Sequence, residues 1–217
     1  MVPRLRALGG LCAGCTATLP ISDHRPTAVV KRGAAIGLCE AGRMTTAEWE
    51  QQVAEAWASI DERDETEFLT LMEKLVEELP PGDPAGLFER AASLDSTGHS
   101  DLAVPLYARA LDAGVSGERR RRSVIQMASS LRNLGRSAES IVLLTAELAT
   151  VSDHLDDAAK CVLAMALTDV GRAREGVSIL VGAMAPRLPR YQRSMANYAR
   201  LLIEPDPDAE PESTVRS

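Results

Sequence analysis

The chain has 217 residues, 31 acidic against 24 basic side chains, a formal net charge of −7 and only 3% aromatic residues. An acidic chain lacks the cation surplus that phosphate neutralisation needs, which argues against nucleic acid as a partner. Four cysteines without a disulfide framework favour a reducing cytoplasm, and a composition rich in alanine and leucine suits an all-α core of one or two domains.

Residues 1–43 carry six basic and two acidic side chains, three of the four cysteines (Cys12, Cys15, Cys39) and prolines at Pro3, Pro20 and Pro26, with no helical periodicity. They read as a disordered extension. Arg4 and Arg6 before ALGGLCAGC resemble a weak secretory signal, but the apolar run is short and Cys12 stands where a lipid-anchor signal takes a large aliphatic residue. The simpler reading is that translation starts at Met44, which opens MTTAEWEQQ, so that residues 1–43 are not translated. Cys12-x-x-Cys15 has the spacing of a redox couple or half a zinc site, yet no second pair exists and His24, His99 and His154 lack ligand spacing. No metal and no cofactor are expected, and no membrane partner.

Residues 44–83 hold twelve acidic and two basic side chains. Trp49, Val53, Ala56, Trp57 and Ile60 recur at helical spacing, as do Phe68, Leu71, Met72, Leu75 and Leu79, so 44–82 reads as an N-terminal helical pair. Its dense carboxylates are a solvated face rather than an acid/base pair. PPGDP then breaks the chain, with Pro84 suited to a first helical position.

From there a phrase recurs: AASLDSTG ending at Gly98, ASSLRNLG at Gly135 and AMALTDVG at Gly171, with glycines 37 and then 36 residues apart. Seven residues before each glycine stands an alanine (Ala91, Ala128, Ala164) and four before it a leucine (Leu94, Leu131, Leu167), one turn apart on a helix face. Five after it is a small residue (Ala103, Ser140, Gly176) that permits close backbone approach, and nine after it a bulky one (Tyr107, Leu144, Leu180). Ala110 with Leu111, Glu147 with Leu148, and Ala183 with Met184 close the second stripe. A fixed period in this range predicts a solenoid of antiparallel helix pairs across 83–186. His99, beside the first turn, reads as an exposed capping residue. LPRYQRSMANYARLL places Tyr191, Met195, Tyr198 and Leu202 near one face of a capping helix over 187–203, and 204–217 is a disordered acidic tail.

On these small, large and glycine positions the chain resembles the tetratricopeptide repeat family, and ERRRRSVIQMASSLRNLGR with AVPLYARAL resembles a small bacterial group of stand-alone tetratrico peptide repeat proteins. Two positions depart from the pattern: Glu147, where a small residue is usual, and Pro105, one turn into a helix. The resemblance implies a right-handed solenoid with three repeats and a concave groove lined by the first helix of each. Carried across residue by residue, the groove takes Phe88, Ala92, Asp95 and Ser96. The second repeat gives Arg122, Ile125, Ser129, Arg132 and Asn133, and the third gives Cys161, Met165, Thr168 and Asp169.

With no nucleophile elbow, phosphate loop or acid/base cleft, the expected function is non-enzymatic: capture of a protein or peptide segment in the groove. Arg122 and Arg132 with Asn133 make the middle of that groove basic and favour an acidic, carboxylate-bearing partner. The competing reading of Arg119 to Arg122 is a solvated helix start, paired with Glu118 or with acids of the N-terminal helices. The alternative function is a self-associating, homodimeric scaffold, which exposed Trp49 and Trp57 would favour.

Overall fold

The computed structural model describes residues 46–204; the extension 1–43 with its Cys12-x-x-Cys15 pair and the acidic tail from 205 lie outside the described residues. All regular structure among the described residues is helical, and the chain divides into two compact units between Pro80 and Pro81.

The first unit pairs α1 (Thr46–Ala58) with α2 (Glu65–Glu77). Trp49, Val53 and Ala56 of α1 and Phe68, Met72, Leu75 and Val76 of α2 are buried, following their 3–4 residue spacing. The Trp49 indole N–H donates to the Leu75 carbonyl at 2.7 Å, and Trp57 packs edge-on to Phe68 at 5.2 Å. Asp64 caps α2 by accepting from the Glu67 amide at 2.8 Å.

The second unit runs α3 (Pro84–Ser96), α4 (Ser100–Asp112), α5 (Gly117–Asn133), α6 (Ser137–Thr150), α7 (Asp156–Asp169), α8 (Ala173–Met184) and α9 (Gln192–Leu201). Each helix packs on the next, and α3 meets α5 as α5 meets α7, the neighbour pattern of a helical solenoid. Asp83 starts it, accepting from the amides of Ala85 and Gly86, with Pro84 at the first turn.

The three glycine turns share one geometry. Gly98, Gly135 and Gly171 have φ of +93°, +76° and +81°, a left-handed region open to glycine without steric cost. At each, the residue after the glycine returns its amide to the leucine carbonyl of the repeated phrase: His99 to Leu94 at 2.8 Å, Arg136 to Leu131 at 2.9 Å and Arg172 to Leu167 at 2.8 Å. The leucine therefore serves the turn through its backbone. His99 is half-buried and its side chain makes no cap bond, contrary to the exposed capping role expected of it.

Five residues after the glycine the backbones do come close. A Cβ on Gly176 would lie 2.7 Å from the Ala164 carbonyl oxygen, while Ala103 and Ser140 fill the equivalent places fully buried. Tyr107 and Leu144 are buried beside them, and α4 runs unbroken through Pro105 to Asp112. Met184 is 54% exposed rather than closing its stripe: α8 ends there and Ala185 takes the buried place.

The capping helix sits differently from expectation. Ala199 is its buried residue, with the Ser178 hydroxyl donating to its carbonyl at 2.6 Å and Gly182 of α8 opposite. Met195 and Leu202 are half-buried, while Tyr191 and Tyr198 are 73% and 58% exposed. Tyr191 makes the turn into α9 with a left-handed φ of +68°.

Candidate binding groove

The first helices of the repeats, α3, α5 and α7, carry the residues expected to line the groove. Three of them are core instead. Phe88 has no exposed surface and stacks obliquely on Tyr107 at 6.2 Å, and Ile125, 5% exposed, belongs to the cluster with Ala128, Leu144 and Leu163. Ala92 is likewise buried. Asn133, Cys161, Met165, Thr168 and Asp169 are exposed, and Asp95, Ser96, Arg122, Ser129 and Arg132 are partly so.

The four consecutive arginines divide by helix register. Arg121 shares the inward face with Val124, Ala128 and Leu131 and is 2% exposed. Its Nη1 donates to Glu147 at 2.8 Å, its Nη2 to Asp156 at 2.7 Å and its Nε to Asp153 at 3.3 Å. Arg120 also pairs with Glu147, and Arg119 donates to Glu89 at 2.8 Å. Arg119, Arg120 and Arg121 are thus engaged by carboxylates of α3, α6 and the start of the third repeat, while Glu118 sits 3.8 Å from His154. Glu147, the departure from the repeat pattern, is the buried counter-ion that lets Arg121 enter the core. Burial alone would lower the Arg121 pKa, but the bond to Glu147 and the charges of Asp153, Glu147 and Asp156 raise it on balance.

Arg122 points elsewhere. Its guanidinium lies over the Phe88 ring, 5.1 Å from the centroid, with no carboxylate in ion-pair range among the described residues. A half-buried cation on an aromatic face is held in place yet keeps its donors for a ligand.

Polar links stitch one repeat to the next. The Asp95 carboxylate accepts from Ser130 at 2.6 Å, Ser100 at 3.3 Å and Tyr107 at 3.5 Å. Burial raises the Asp95 pKa above its ordinary value despite these three bonds, and burial with the nearby Asp95 charge pushes the Tyr107 phenol well up. Arg132 of α5 pairs with Asp169 of α7: Nη2 donates to Oδ1 at 3.3 Å, Nε lies 2.7 Å from Oδ2 without hydrogen-bond alignment, and Ser137 donates to the same carboxylate at 3.0 Å. Arg132, Asn133, Ser137 and Asp169 line an open depression of about 540 Å³. The expected groove pair Arg122 and Arg132 is therefore unequal: one guanidinium is available and the other is engaged.

Among the described residues no cluster of histidine, cysteine and carboxylate side chains has the arrangement of a metal site, and no helix is long and apolar enough to cross a membrane. Paired helices, glycine turns and a polar seam along the first helices define a helical-repeat protein of the kind that binds other proteins. The family model for the Tetratrico peptide repeat matches residues 84–202, more than half of the chain, and the chain belongs to that family. Neither a curated protein nor a solved structure matches it. Tetratricopeptide repeats generally mediate protein–protein interaction and are typically non-catalytic scaffolds.

Proposed function

We infer that the face formed by α3, α5 and α7 captures an acidic segment of another protein, without chemistry, and that Arg122 is its anchor. The observation that carries this reading is the Arg122 guanidinium, fixed over Phe88 and without a carboxylate among the described residues. A partner carboxylate would take two parallel hydrogen bonds from it. Ser129 and Asn133 further along the same helix and Met165 and Thr168 on α7 are at least partly exposed and offer polar and apolar contacts to an extended segment. The exposed thiol of Cys161 suits a cytoplasmic location. The test is a pull-down from source-cell extract with the full chain and with Arg122→Glu, both checked for folding by circular dichroism. A protein held by the first and released by the second, through an acidic segment, supports the reading; identical retention removes it.

Self-association is a second reading, now favoured at α9 rather than at the tryptophans. Trp49 is 2% exposed and Trp57 is half-buried, whereas Tyr191, Tyr198, Leu201 and Ile203 are all exposed. Sedimentation equilibrium of the full chain and of Tyr198→Ser with Leu201→Ser decides it: a dimer that becomes a monomer supports this reading, and a monomer in both ends it.

A further inference from the structure

Asp169 is the last residue of α7, where the helix macrodipole is negative and a carboxylate is badly placed for its own helix. What holds it there is Arg132, one repeat away, with Ser137. The pair differs in kind from the Arg121 cluster. Arg121 and Glu147 are 2% and 4% exposed, whereas Arg132 and Asp169 are 29% and 34% exposed and open onto the depression they share with Asn133 and Ser137. An ion pair in contact with water is weak and exchanges partners readily, while a buried one does not.

We propose that Asp169 is a built-in occupant of Arg132, and that an acidic side chain of the partner seats on Arg132 by displacing it. The incoming carboxylate meets the same donors that Asp169 now uses, the Arg132 Nη2 and the Ser137 hydroxyl, with the exposed Asn133 beside them. Release costs Asp169 its contacts with Arg132 and Ser137, a modest loss for an ion pair open to water, and at the end of α7 its carboxylate turns to solvent. The device makes binding selective: a lone carboxylate engages Arg122 only, whereas a segment with a second carboxylate in reach also displaces Asp169. This rests on the groove reading above.

The probe is fluorescein-labelled octaglutamate, titrated by anisotropy against the full chain, with free glutamate at equal carboxylate concentration as the competitor. Asp169→Asn, which keeps the shape and removes the charge, is expected to bind octaglutamate about two- to fivefold more tightly, the worth of one exposed ion pair. Adding Arg132→Gln to Asp169→Asn is expected to cancel the gain, and free glutamate is expected not to compete. Unchanged affinity in Asp169→Asn, with binding still lost in Arg122→Glu, overturns this inference and leaves the groove reading standing. A gain that survives Arg132→Gln also overturns it, because the effect is then one of net charge. Octaglutamate binding to none of the variants overturns both.

Discussion

Arg121 and Glu147, twenty-six residues apart in the chain, form a buried ion pair 2.8 Å long that joins the start of α5 to the end of α6. Each residue alone would be costly in the core; together, with Asp153 and Asp156 on the remaining guanidinium nitrogens, they tie the second repeat to the start of the third.

Arg121→Met is therefore expected to destabilise the protein by about 3–5 kcal/mol, because Glu147 is left buried with a weaker counter-ion. Combining it with Glu147→Leu is expected to recover most of the loss, since both charges then leave the interior together. Urea unfolding followed by circular dichroism reads both; a single variant as stable as the wild type contradicts the assignment.

The small-residue position after the turn gives two substitutions of opposite sign. Gly176→Ala puts a methyl group against the Ala164 carbonyl and is expected to cost about 1–3 kcal/mol. Ser140 occupies the same place one repeat earlier, fully buried, with its hydroxyl unpaired among the described residues. Ser140→Ala is expected to stabilise by about 1 kcal/mol, the cost of the stranded hydroxyl. Thermal unfolding of the two variants in one buffer compares them.

Asp95 predicts a pH dependence. Its pKa is raised by burial above the ordinary 3.8, so the native state holds this proton where the unfolded state has released it. The stability it contributes is full below the unfolded value and is lost as pH rises through the raised folded value. The stability of Asp95→Asn relative to wild type is therefore expected to climb as pH rises above 3.8 and then level off, as urea titrations at several pH values would read. A difference independent of pH across that window contradicts the burial of this carboxyl.

The glycine turns were legible in the sequence because their chemistry is local. A left-handed residue four places after a leucine closes the same backbone loop each time, so the phrase and the structure repeat together. The interior of the arginine run was not read from its composition, since four arginines in a row look alike. The signal was there in register: Arg121 falls three residues before Val124, seven before Ala128 and ten before Leu131, on the buried face. Glu147, an acid at a small-residue position, was its counterpart. The resemblance carries Phe88, Ala92 and Ile125 into the groove because a family register says which helix face a side chain is on but not whether neighbours cover it. The pairing of Arg132 with Asp169 joins opposite charges about one period apart, a pattern visible only once the repeats are stacked.

The most direct test of the account is the affinity of labelled octaglutamate for the full chain, for Arg122→Glu, and for Arg109→Glu, which makes the same charge change at an exposed site on α4. The account predicts binding to the wild type that weakens with salt, near-equal binding to Arg109→Glu, and loss of at least about tenfold in Arg122→Glu, in keeping with a charge-assisted bidentate contact. Equal loss in both variants would reduce the effect to net charge, and no loss in Arg122→Glu would contradict the groove reading outright.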